Sequence, residues 1–161
     1  MPAIRPYATA DRATALDLVV AIWGPVFEGM RAALPRYVYG NFYPGGWEVR
    51  QRADVAALLD RAGDSAWVAH ADDDTLVGLV VAEAHTEDRM GEIVLIGVHP
   101  DHQGAGIARA LTDTALGWMR AQGLAFAMAE TGEDPGHSPA RAAYEALGFE
   151  PWRVVRYVRE L

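Results

Sequence analysis

Residues 103 to 108 read Gln-Gly-Ala-Gly-Ile-Ala, a stretch whose residue types suit the binding of an anion. Glycines at 104 and 106 allow backbone conformations closed to most residues and put no side chain over the peptide N–H groups. Where such a turn opens a helix, the first amides lack intrahelical acceptors and carry partial positive charge, so a phosphate can sit there. The glycine pair alone is a weak signal, since Gly-x-Gly also occurs in dinucleotide folds and in plain loops. Carboxylates come next: Glu83, Glu92 and Glu130 each stand at one end of a strand-like run. A carboxylate so placed can accept a proton from a bound amine. His99 and His102 flank Pro100 without the spacing of a helical metal pair, and there is no HExxH and no cysteine, which argues against a metal enzyme and excludes a cysteine nucleophile. Asp72, Asp73 and Asp74 lack the ligand spacing of a calcium loop and read as a solvated hairpin turn.

The elements around the glycine turn follow from hydrophobic period. Glu92 to Val98 is a short apolar, β-branched run bounded by Gly91 and Pro100, which predicts a buried strand. After Gln103 the period lengthens through Ile107, Leu111, Ala115, Trp118 and Met119, which predicts an amphipathic helix. Upstream, Ala3 to Tyr7 reads as a strand, and Asp11 as the N-cap of a helix carrying Ala15, Leu16, Val19, Val20 and Trp23 that Gly24-Pro25 ends or kinks. Val26 to Trp47 is irregular and aromatic-rich, a long functional loop with some helix in it. Glu48 to Arg61 is helical by period with Gly63 as its stop, and Trp67 to Ala69 and Leu76 to Ala84 are strands. A polar turn at Thr86 to Arg89 makes a hairpin with the strand that follows. Leu124 to Ala129 is another strand, Glu130 to His137 a loop, Ser138-Pro139 the start of a helix closing at Gly148, and Phe149 to Leu161 a final strand.

Composition bounds the function. A chain of 161 residues suits one domain over residues 1–161, long enough to bury roughly two-thirds of its unfolded surface. No run approaches the roughly 20 apolar residues of a membrane span, and Met1 to Pro6 has no signal-peptide core. With no cysteine either, the expected location is cytoplasmic and no membrane partner is expected. A net charge of -8 argues against nucleic acid as a partner and favours cationic ligands such as amines.

The spacing Q-x-x-G-x-A at Gln103, Gly106 and Ala108, preceded by an apolar strand and Pro100, resembles the pyrophosphate-binding signature of the GNAT superfamily of acyl-CoA-dependent N-acyltransferases. A second stretch, Ala140 to Phe149, is similar to the family pattern A-x-x-x-Y-E-x-x-G-F. The resemblance implies an α/β fold of mixed type: a central, mostly antiparallel twisted sheet of six to seven strands flanked by helices and splayed at the central strand. The residue-by-residue reading gives the same order, β-α-α-β-β-β-α-β-α-β.

The resemblance also implies roles. Gln103, Gly104, Ala105, Gly106, Ile107 and Ala108 would cradle the diphosphate of acetyl-CoA, a co-substrate, with no metal. The Val98 N–H would face the thioester carbonyl. Tyr144 would protonate the departing thiolate. Glu92, eleven residues before Gln103, matches the spacing of the catalytic glutamate in histone-type members; Glu83 is the second choice and Glu130 a third. His137 stands where the family commonly has an asparagine that contacts the pantetheine arm, a departure that would make binding pH-sensitive. The expected activity is transfer of an acetyl group to a primary amine of a small molecule or peptide by direct attack. The alternatives are a catalytically silent acyl-CoA-binding or sensing domain, or a Rossmann module, the latter disfavoured because a hairpin precedes the glycine turn. The aromatics Phe27, Tyr37, Tyr39, Phe42, Tyr43 and Trp47 either cap the core or form a homodimer contact, or line the acceptor pocket.

Overall fold

The computed structural model describes residues 3–161. In chain order the elements are β1 (Ala3–Pro6), α1 (Arg12–Ala33), α2 (Arg36–Phe42), α3 (Trp47–Arg61), β2 (Ala66–His70), β3 (Leu76–His85), β4 (Met90–Val98), α4 (Ile107–Ala121), β5 (Phe126–Ala129) and α5 (Ser138–Ala146). The strands form one sheet of five in sequence order, antiparallel except for the parallel pair β4 and β5. The mixed α/β sheet flanked by helices is as expected; its strand count is lower.

Two cores lie on opposite faces of the sheet. α1 and α3 pack on one, through Leu18, Val19, Val55 and Leu59 against Val68, Leu79, Val81 and Leu95. α4 packs on the other, through Ile107, Leu111, Ala115 and Met119 against Val77, Val80, Ile93 and Val98. Strict alternation would put Ile93 and Leu95 on the same face. They face opposite cores because the register slips between Val81 and Ala82, leaving Val94 as an extra residue of β4.

Three sequence expectations change. The first helix runs through Gly24-Pro25 to Ala33, and the residues that follow form α2, so the long loop is mostly helix. Pro25 removes one helix donor, but Ile22 and Phe27 on either side of it are buried and hold the helix down. By length and composition the stretch Thr9–Ala33 passes for a membrane span, which the reading by apolar runs did not register. In the fold its apolar stripe packs on the sheet. Asp11 does not cap α1. Its carboxylate accepts two bonds from Arg5, each at 2.7 Å, and one from the Ala8 N–H at 2.8 Å, closing the turn before the helix. The third change is at the end of the chain. Residues 150–161 form no strand, and Trp152, Val154, Val155, Tyr157 and Leu161 are exposed. β-branched residues supply only a propensity, and a strand needs a partner. Here Arg153 and Arg156 tie the segment to Glu133 and Glu130, both at 2.7 Å, beside the loop that follows β5 rather than along β5 itself.

α1 rests directly on β4 at Gly97, where an added Cβ would come within 2.8 Å of Ile22 and of the Trp23 ring. Gly97→Ala is expected to lower stability by about 1–3 kcal/mol in urea unfolding, because two α1 side chains, Ile22 and Trp23, would have to give way at once. The Arg5 guanidinium, opposed by partial burial and helped by the Ala8 amide, holds the Asp11 carboxyl down at about 2. A depressed carboxyl stabilises the fold above the ordinary carboxylate range, and that contribution is lost as pH falls towards its folded value. Asp11→Asn should therefore cost about 1 kcal/mol near neutral pH, and most of that difference should be gone by about pH 2, in thermal unfolding across that range.

Candidate active site

β4, a 3-10 turn at Pro100–His102 and the start of α4 build the glycine turn. Gly104 and Gly106 sit at φ 78° and 79°, the left-handed region where side chains cause strain, and nothing lies within 4 Å of a Cβ built on either. The N–H groups of Gly104, Ala105, Gly106, Ile107 and Ala108 donate to no acceptor among the described residues, and residues 103 to 106 are exposed. The row of donors is open. Gln103 departs from its expected part: its own N–H goes to Pro100 O at 3.3 Å and its side-chain Nε2 to Val98 O at 3.1 Å. It braces the turn against the end of β4, and the free donors begin one residue later.

The same strand end carries a second opening. β5 pairs with β4 only from Met90 to Ile93, so Val94 to Val98 have no strand on that side. The His99 N–H donates to Val77 O at 2.7 Å. In an antiparallel ladder the N–H groups alternate in direction, so Gly97 also faces β3 while Ile96 and Val98 turn theirs away, into the gap left by β5. The Val98 carbonyl, taken up by Gln103, points the same way.

Glu83 and Glu92 stand directly opposite each other on β3 and β4, on the face covered by α3. Like charges so placed repel unless each is met. Arg61 of α3 donates to Glu83 at 2.9 Å, and His85 Nε2 lies 2.8 Å from Glu92 Oε2. Glu130 is exposed and paired with Arg156, away from this face. His85 has no place in the sequence reading. The four-residue turn Thr86 to Arg89 would have found it, because that turn sets His85 opposite Met90 and Glu83 opposite Glu92.

Tyr144 lies on α5 with its ring edge-on to Phe149 at 5.3 Å, and it packs on the α4-side core that contains Val98 and Ile107. Burial pushes its phenol up to about 12, so it stays protonated well past neutral pH. Its hydroxyl bonds to no group among the described residues. His137 is fixed rather than free: Asp134 Oδ2 meets its Nδ1 at 2.6 Å, and Asp134 Oδ1 takes the Gly136 N–H at 3.0 Å. Arg141 holds the same loop by the carbonyls of Gly132 and Asp134. Ser138 is the first residue of α5 rather than its cap, with its hydroxyl on Pro135 O at 2.9 Å.

The turn, Val98 and Tyr144 thus gather at the α4 side, while Glu92 and Glu83 face the opposite side, with the β4–β5 gap between. The aromatic stretch mainly packs on itself. Phe27 is buried, stacked on Trp47 at 4.5 Å with Tyr43 edge-on at 5.1 Å, and Arg50 lies over Phe42 and Tyr43. Among the described residues no cluster of three or more His, Asp or Glu side chains could hold a metal ion.

Residues 32–149 match the Acetyltransferase (GNAT) family. The chain belongs to that family. It is 40% identical over 77 residues to a mycothiol acetyltransferase of Streptomyces coelicolor, covering 48% of this chain and 24% of the relative. To that of Kocuria rhizophila it is 32% identical over 108 residues, 65% of this chain and 35% of the relative. The chain thus spans about a quarter to a third of the length of these curated relatives. Its GNAT fold superposes on the PaiA N-acetyltransferase of Thermoplasma acidophilum in complex with coenzyme A, with TM-score 0.72, 15% identity and coverage of 93% and 90% of the two chains. It superposes equally along its whole length on AAC(6')-Iy bound to a bisubstrate analogue, with TM-score 0.67, 19% identity and coverage of 100% and 99%.

One property of this GNAT site is open to direct measurement. In an alkaline titration of phenolate absorbance, Tyr144→Phe is expected to remove a tyrosine that ionises at about 12 and to leave the earlier ones in place.

Proposed function

We propose that the chain is an acetyl-CoA-dependent N-acetyltransferase that acts on a primary amine of a small molecule or peptide. The observation that carries this reading is the unbroken row of free amides from Gly104 to Ala108, beside a strand whose last N–H groups have no ladder partner. The named relatives and the structural neighbours, several of them coenzyme A complexes, support the same chemistry.

The diphosphate fits this turn because its donors are neutral, residues 104 to 106 are exposed, and no side chain overhangs Gly104 or Gly106. The pantetheine arm would follow β4 into the gap, where Val98 and Ile96 offer donors fixed before reaction, which suits an oxyanion. Glu92 takes one proton from the ammonium form of the acceptor, freeing its lone pair. As the C–N bond forms and the C–S bond breaks, Tyr144 gives its proton to the thiolate; the second proton lost by nitrogen passes through solvent to re-form the phenol, and Glu92 releases the first to solvent. The two groups act from opposite faces of the sheet. Base and acid are thereby kept apart.

Thiol release from acetyl-CoA over a panel of polyamines, aminoglycosides, amino sugars and peptides tests the reading. Binding of coenzyme A without release on any amine would assign a silent acyl-CoA-binding domain instead. Gly106→Val, strained at φ 79°, should weaken coenzyme A binding roughly tenfold or more by calorimetry. Tyr144→Phe should lower kcat roughly 100-fold and leave that affinity unchanged. An unaltered kcat would remove Tyr144 from the reaction.

A further inference from the structure

Each of the two carboxylates on the α3 face is held by one oxygen, and they differ in what holds it. Glu83 is engaged by the permanently charged Arg61 at 2.9 Å. Glu92 meets an imidazole instead, His85 Nε2 at 2.8 Å from Oε2. An ionised carboxylate has no proton to give, so Nε2 carries the hydrogen and His85 is the donor. That contact fixes the tautomer of His85 and, at the same time, the rotamer of Glu92.

The register shows why this matters. Glu92 is the last residue but one at which β4 is still paired to β5, so it stands at the apex of the gap. An unheld glutamate would sample several rotamers there, and fixing one costs conformational entropy. His85, two residues beyond Glu83 on the same face of β3, reaches back along that face to Glu92. It is itself 39% exposed while Glu92 is 23% exposed, so the histidine sits on the outer side of the pair.

We propose that His85 is a positioning residue for acetyl transfer: its Nε2–H holds Oε2 of Glu92 and leaves Oε1 as the oxygen that receives the ammonium proton. This rests on the acetyl-transfer reading above. His85 neither gains nor loses a proton in the step. The proton moves from nitrogen to Oε1, directly or through one water, and the Nε2–H bond persists throughout.

His85→Ala should lower kcat roughly tenfold with no change in coenzyme A affinity, since the base is misplaced rather than removed. His85→Gln, whose side-chain amide can donate to the same oxygen, should restore most of the rate. In a Glu92→Gln background His85→Ala should cost nothing further, because the two act as one unit. Equal damage from Ala and Gln at position 85, or a full additional loss in the Glu92→Gln background, overturns the proposal. A second measurement needs no substrate. Nitrogen NMR of the free protein at mildly alkaline pH should show His85 protonated at Nε2, relaxing to a tautomer mixture in Glu92→Ala. A wild-type protein that acetylates amines but carries the proton on Nδ1 refutes the positioning role alone. One that shows the Nε2 tautomer and releases no thiol on any amine refutes the acetyl-transfer reading, and the role with it.

Discussion

The structure depends on backbone hydrogen bonds that β4 does not make. A buried peptide N–H left unpaired costs about 1–3 kcal/mol, so a strand rarely runs on for five residues with one side empty. Here the pairing with β5 stops at Ile93. Several features hold β4 in place without it. β3 stays paired to β4 as far as Val98, α1 bears down on Gly97, and Gln103 closes the carbonyl at the strand end. The bulge at Val94 falls at the point where the strands part, and it turns Leu95 to the α1 side and returns Ile96 to the α4 side. The gap is therefore built into the register.

From that gap follows the division of labour across the sheet. α4 and α5 close one face with the glycine turn and Tyr144, and α1 and α3 close the other around Glu83 and Glu92. The loop after β5 belongs to both. Its Gly136 touches α1 so closely that a Cβ on Gly29 would lie 3.1 Å from it, while Arg141 of α5 grips its carbonyls. His137 is seated in the middle of this clasp, and its bond to Asp134 uses Nδ1, so that Nε2 is the nitrogen left for a ligand.

How much of this was legible in the sequence follows from which constraints are local. The glycine turn was, because positive φ at two positions and a change of hydrophobic period are properties of a few neighbouring residues. The helix after it and the hairpin before it were legible for the same reason. The pairing of Glu92 with His85 was not read, since it depends on strand register, although the length of the turn at Thr86 to Arg89 contained it. Helix α1 was cut short at Pro25 because a proline penalty is visible locally and the burial of Phe27 that offsets it is not. The closing strand failed in the opposite sense. Its residues have the propensity, but arginines spaced three apart meet loop carboxylates and carry the chain past the edge it would have joined. Gln103 shows a third kind of limit: the motif located the turn, while the coordinates show its amide spent on structure rather than on a ligand.

The charge balance of the chain gives this construction its sense. With a net charge of -8, a site that relied on lysines or arginines to hold a diphosphate would work against its own field. Peptide amides at a helix start do not titrate, need no side-chain ordering and act at contact range, where the distant carboxylates are screened over roughly 8–10 Å. The only arginine in the first turn of α4, Arg109, already faces Asp113 at 3.9 Å. In the proposed reaction, the same acidic field that would repel a phosphate at a distance would draw a protonated amine towards the Glu92 face. On that reading one chain favours an anion at one end of a strand and a cation at the other, because the first would be held by oriented dipoles and the second by net charge.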